Sequence, residues 1–130
     1  MSPGRLLLDT KALSALSEDS EAAIAVAGHH ERLLLPLPVF AEARYGVLLA
    51  RSLKPKIERS SRLLEQFPVL AMDRQRGELF ASMYADLGRL GLKIPTNDLW
   101  IAAIGIQHGL PLMTRDAHFD RIAGLAKIGW

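Results

Sequence analysis

The chain has 130 residues and a net charge of +2, with 49% hydrophobic and 23% charged residues. That suffices for one domain with a real core, while the charge is too mild to argue for nucleic acid alone. The absence of cysteine excludes a disulfide framework and a thiolate metal site, which fits a reducing cytoplasm; no apolar run approaches the ~20 residues of a membrane span, and the opening MSPGRLLLD lacks the length of a signal peptide.

Arg5–Leu8 reads as a buried strand ending at Asp9. Residues 10–16 form a short helix with Leu13 and Leu16 inward. Ser20 caps a second helix, Glu21–Ala27, which Gly28 stops. Residues 33–35 are a second strand. Pro38 suits the first turn of a third helix running to about Arg51. Val39, Ala43 and Val47 share one face of it with Phe40 beside them, and Glu42 points elsewhere. Pro55 opens a fourth helix with Ile57, Leu64 and Phe67 on one side. Residues 69–72 are a third strand. Asp73 caps a fifth helix with Leu79, Met83, Leu87 and Leu90 at helical spacing, and Gly91 ends it.

Residues 94–119, IPTNDLWIAAIGIQHGLPLMTRDAHF, organise the rest. Pro95 and Thr96 mark a helix start, with Thr96 as the expected N-cap. Residues 99–106 are apolar almost all round, which signals a buried helix. Gly109 ends it. Residues 110–114 are a short apolar strand. Phe119 and Ile122 fall on a turn or short helix, and residues 125–128 on a last strand. Strands alternating with helices imply α/β architecture: three layers, α/β/α, around a short, mostly parallel sheet of 4–5 strands. One domain spans residues 1–130.

Four carboxylates stand out. Asp9 and Asp116 follow predicted strands; Glu42 and Asp98 lie near predicted helix starts. Singly, each has an ordinary role: Asp9 and Asp116 as turn or cap residues, Asp98 as a helix-dipole residue, Glu42 as a solvated one. In a doubly wound sheet all four fall on one edge, where ligands bind. Clustered like charges repel unless a cation compensates. Oxygen ligands without cysteine suit a hard ion, Mg²⁺ or Mn²⁺. Such an ion activates water and polarises a phosphoryl oxygen, which points to metal-assisted phosphodiester hydrolysis.

LLLDTKAL, the AEARYG helix, NDLWIAA and LMTRDAHF, in this order and spacing, resemble the motifs of PIN-domain ribonucleases, above all the VapC-type toxins of bacterial toxin–antitoxin pairs. The resemblance spans about residues 5–128. It implies an endoribonuclease in which Asp9, Glu42, Asp98 and Asp116 bind Mg²⁺ or Mn²⁺. Thr10 and Thr114 match supporting hydroxyl positions. It also implies a homodimer inhibited by a small cognate antitoxin. Lys11 departs from the commonest form, where Asn or Ser follows Asp-Thr; that bears on substrate contacts more than on the metal.

Lys11 and Arg115 flank expected ligands and either contact phosphate or offset the acidic cluster. Arg51, Lys54, Lys56, Arg59 and Arg62 form a basic run, read as a solvated helix face or an RNA-backbone track. No aromatics interleave with it. His118 reads as a turn residue; His29, His30 and His108 are too scattered for a metal motif. Trp100 and Tyr45 read as packing residues. A haloacid-type phosphatase would want Asp at Lys11, and neither G-x-G-x-x-G nor G-x-S-x-G occurs. The rival reading is a PIN-like binding or regulatory module without useful catalysis. The third and fourth helices carry Phe40, Leu48, Leu49, Leu53 and Ile57, more apolar surface than one core-facing stripe needs, which suggests a dimer face there.

Overall fold

Leu6, Leu7 and Leu8 are each 0% exposed. A strand buried on both faces belongs inside a parallel sheet. The computed structural model, which describes residues 4–51 and 54–130, places it there. Among these residues the sheet holds β1 (Arg5–Leu8), β2 (Arg32–Pro36), β3 (Val69–Leu70), β4 (Leu112–Met113) and β5 (Lys127–Ile128). Their order is β3-β2-β1-β4-β5, and every pairing is parallel. Helices α1 (Thr10–Ser17), α2 (Glu21–Ala27), α3 (Leu37–Leu49), α4 (Lys54–Gln66), α5 (Arg74–Leu90) and α6 (Thr96–His108) flank it. The expected α/β architecture holds.

The strand order reverses at β1. The chain steps outward through β2 and β3, then returns to place β4 on the other side of β1. Leu7 pairs with Leu34 on one side and with Leu112 on the other. Parallel sheets bind ligands at such a reversal, outside the carboxyl ends of the strands. Asp9 follows β1, and Asp116 lies three residues past the end of β4.

Local chemistry explains most element ends. Ser20 and Asp73 accept the backbone N–H groups of Ala23 and Arg76 and so cap α2 and α5. Gly91 and Gly109 end α5 and α6 at φ +69° and +61°, which glycine adopts without a Cβ penalty. Helix α6 is buried at Leu99 and from residue 101 to 105, as its apolar surface demands. At Gly105 a Cβ would come within 2.8 Å of the Leu125 side chain, so the segment leading into β5 packs tightly against the helix.

Several boundaries differ from expectation. Thr96 is the first helical residue; Pro95 holds the N-cap position, with no side-chain cap bond. Helix α3 stops at Leu49, short of Arg51. Strand β3 ends at Leu70 rather than 72: its partner β2 ends at Pro36, opposite Leu70, and passes into α3, while the Ala71 carbonyl accepts from the Arg76 guanidinium. The ladder of β4 is shorter than 110–114, partly because Pro111 lacks an N–H. Its flanks still bond: Leu7 donates to the Pro111 carbonyl at 2.9 Å and Thr114 to that of Ile128 at 3.0 Å. On α5, Leu87 is buried but Leu90 is 70% exposed. At the opposite end of α5, Arg76 is buried, bonded to Asp73 and facing His108. Leu53 lies outside the described residues. No helix among them is long and apolar enough to cross a membrane.

Candidate active site

Asp9 is 5% exposed. It caps α1, accepting the Ala12 N–H at 2.8 Å. The Thr114 hydroxyl also bonds its carboxylate. Burial raises the Asp9 pKa above the ordinary carboxylate value; the bonds from Thr114 and Ala12 oppose this, and the charges of Asp116 and Asp98 add to it. The same Thr114 hydroxyl accepts the Asp116 N–H at 3.0 Å. One side chain thus ties the end of β1 to the turn after β4.

Asp98 sits in the first turn of α6. Its pKa is also raised, by burial first and then by the charges of Asp116 and Glu42, against a lowering bond from His118. Glu42 is exposed on α3 and reaches the cluster's edge. Thr10, at the start of α1, donates its hydroxyl to Glu42 Oε2 at 2.9 Å. Four separate elements therefore bring Asp9, Glu42, Asp98 and Asp116 to one edge of the sheet. Among the described residues, no lysine or arginine forms an ion pair with any of the four.

His118 joins this cluster, which the sequence reading did not anticipate. It lies in the 3-10 turn Ala117–Arg121, capped by Asp116, which accepts the His118 N–H at 2.9 Å. That backbone bond is the turn role expected of it. Its imidazole does more: Nδ1 lies 3.0 Å from Asp98 Oδ2 and 3.3 Å from Asp116 Oδ1. Asp98, Asp116 and His118 each offer a ligand atom within 4.8 Å of the others. A T-R-D-x-H spacing was the available signal.

The basic residues divide. Lys11 is exposed. Arg59 is paired with Asp19 and Lys54 lies 4.0 Å from Glu58, so two members of the basic run already face carboxylates. Lys56 lines a groove of about 320 Å³ between α1, α3 and α4, with Ile57, Val47 and Leu13 along it and Thr10 and Glu42 at its rim. Arg51 and Arg62 are exposed. Arg115 turns from the acids to Trp130. Trp100 packs as expected, stacked on Phe80 with ring centroids 4.0 Å apart. Tyr45 does not; it is 63% exposed. His108 faces Arg76, and burial followed by the Arg76 and Arg5 charges lowers its pKa.

An edge of buried and half-buried carboxylates with oxygen donors suits a hard divalent cation, whose charge would relieve the repulsion. The fold and sequence have close counterparts. Ribonuclease VapC5 of Mycobacterium tuberculosis is 29% identical over 100 residues, 75% of this chain and 74% of that protein. The structure of a member of the VapBC family of toxin-antitoxin systems, VapBC-5 from Mycobacterium tuberculosis, matches at TM-score 0.72 and 28% identity over 98% of each chain. FitAcB from Neisseria gonorrhoeae matches at TM-score 0.82 and 28% identity, covering 95% of this chain and 96% of that one. The PIN domain model matches residues 6–125, nearly the full length, and the chain belongs to the PIN domain family.

Proposed function

We propose that this chain is a metal-dependent endoribonuclease and the toxin of a type II toxin–antitoxin pair, acting in the cytoplasm. The observation that carries the reading is that Asp9, Glu42, Asp98 and Asp116 share the β1–β4 edge of the sheet with His118 beside them and, among the described residues, no lysine or arginine paired to any of the four. The similarity to ribonuclease VapC5 supplies the reaction class. Asp9, Asp98 and Asp116 would hold Mg²⁺ or Mn²⁺, with Glu42 at the outer side.

The bound ion supplies Lewis acidity at a phosphoryl oxygen and makes a water nucleophilic near neutral pH. The chain's own residues supply position. Thr114 fixes Asp9 and the Asp116 backbone together. Thr10 holds Glu42 toward the site. His118 orients Asp98 and Asp116 through Nδ1, which carries the hydrogen when it faces two carboxylates. Fixed donors of this kind lower the barrier because little reorganisation remains at the moment of reaction.

The antitoxin partner follows from likeness to VapBC-5. The groove between α1, α3 and α4 is mainly apolar, with Lys56 and serines among its lining and Glu42 as its acid. A segment with an apolar stripe and a cation at one end would complement it. A homodimer is part of the same proposal.

The deciding experiment is cleavage of single-stranded RNA by the purified chain with Mg²⁺ or Mn²⁺, with chelator, and with Asp98→Asn and Asp116→Asn. Metal-dependent cutting, lost with chelator and lowered by orders of magnitude in each variant, is expected. Cutting that survives chelation and both substitutions would refute the assigned site. Metal binding without any cutting would favour the binding-module reading.

A further inference from the structure

Arg115 stands between Thr114 and Asp116, beside the acidic cluster. Met113 pairs with Ile128, and the same register carried two residues further sets Arg115 opposite Trp130. Both ends lie at the carboxyl edge of the sheet. Arg115 Nε donates to the Trp130 backbone carbonyl at 2.7 Å, and Nη2 donates to the same oxygen. The guanidinium carbon lies 4.4 Å from the centroid of the Trp130 ring. The cation is thus held at two nitrogens and backed on one face by an indole.

Arg115 remains exposed. Among the described residues its Nη1 makes no hydrogen bond, and no aspartate or glutamate side chain pairs with it. Arg59 and Lys54, by contrast, are occupied by Asp19 and Glu58. A planar cation already locked in place loses little rotamer freedom on binding. Single-stranded RNA offers unstacked bases, and a guanidinium plane is a surface on which they stack.

We propose that Arg115, backed by Trp130, is a nucleobase-stacking ledge that seats one base of single-stranded RNA beside the scissile bond. This rests on the ribonuclease reading and adds to it a substrate-positioning contact outside the acidic cluster. The charge of Arg115 alone would serve any phosphate; the held plane selects for a base.

The test is binding of a labelled single-stranded RNA in chelator, measured by fluorescence anisotropy. Abasic nucleotides are placed at successive positions around the bond that the protein cuts with Mn²⁺. In the unaltered protein one abasic position next to that bond should weaken binding roughly tenfold, within the range of a lost base stack. Arg115→Lys keeps the charge and removes the plane. It should weaken binding of intact RNA by a similar factor and erase the penalty at that one position. Trp130→Leu, which frees the guanidinium, should do the same in part.

The proposal falls if no abasic position carries a penalty in the unaltered protein, a result that needs no variant to fold. It also falls if Arg115→Lys keeps the full penalty, or if the variants melt lower yet discriminate unchanged, which would make the pair a structural clasp. Those results leave metal-dependent cutting intact. A protein that neither binds nor cuts RNA overturns the ribonuclease reading as well.

Discussion

Thr10 donates its hydroxyl to Glu42 across 2.9 Å, joining residues 32 apart in the chain. The bond ties the start of α1 to α3 and leaves Glu42 exposed but directed. Asp9, one residue earlier, caps α1 with its own carboxylate. The first turn of α1 therefore orients two of the four acids.

Thr10→Val keeps the shape of residue 10 and removes the donor. The outer partners of metal ligands are commonly worth roughly 10–100-fold in metal affinity or activity. The variant should need a correspondingly higher Mn²⁺ concentration for half-maximal cleavage, and Thr10→Ser should restore most of it. A Mn²⁺ response unchanged in Thr10→Val would separate this bond from the metal site.

His118 gives a sharper separation of roles. Its turn role resides in the backbone N–H that Asp116 accepts, and His118→Ala retains that group. Its site role resides in Nδ1 between Asp98 and Asp116. The alanine variant should fold normally and lose roughly tenfold or more in Mn²⁺ affinity. Isothermal titration with Mn²⁺ reads this without any RNA present. Equal affinities would return His118 to the plain turn residue that its sequence context suggests.

Much of the fold was legible because its signals are local. Ser20, Asp73, Gly91 and Gly109 act within a few residues of where they stand, and the structure places them at helix ends. Thr96 shows the limit. Its type suits a cap, yet Pro95 already bends the chain into the helix, and Thr96 enters the first turn. The short strands were harder, since β3, β4 and β5 each hold only two ladder residues. In the site, Asp9, Asp98 and Asp116 could be read from strand ends and helix starts. The side-chain links could not. Thr10 to Glu42 spans two elements, His118 depends on how a 3-10 turn aims its ring, and Arg115 meets Trp130 only through the register of β5. Such contacts come from tertiary placement, which no local pattern encodes.

The dimer prediction changes in detail. Phe40 and Ile57 are half-buried, and Ile57 lines the groove beside α3, so neither leads an exposed face. Tyr45, Leu48 and Leu49 are 63%, 70% and 60% exposed and follow helical spacing along α3. An apolar stripe of this kind marks an interaction surface. Light scattering at tens of micromolar, roughly where weak dimers form, should show a dimer for the unaltered chain. Leu48→Glu with Leu49→Glu should shift it to monomer. A monomeric parent, or a variant that stays dimeric, would remove α3 from the interface.

The acidic cluster also makes a prediction for stability. Burial, together with neighbouring carboxylates, raises the pKa of Asp9 and of Asp98. In the unfolded chain both would ionise near the ordinary 3.8. Between that value and the raised folded one, the native state holds more protons than the unfolded state. Their contribution to stability is therefore fully present below the unfolded pKa and is lost as pH rises through the folded one. At neutral pH, without metal, the two charges weigh against the fold. Asp98→Asn removes one of them while leaving the Asp9 cap of α1 in place. Its melting temperature in chelator at neutral pH should match or exceed the parent's, and should fall less as pH rises from about 4. Mn²⁺ reverses the order. At 100 times its Kd a ligand of the native state adds about 2.7 kcal/mol. The parent should gain far more from Mn²⁺ than Asp98→Asn does. Thermal melting of both proteins, at fixed ionic strength to hold general screening constant, reads all four conditions. If Asp98 were only a helix-dipole residue, its removal would cost a few tenths of a kcal/mol. The variant would then melt slightly lower in chelator and gain as much from Mn²⁺ as the parent, and Asp98 would have no part in a metal site.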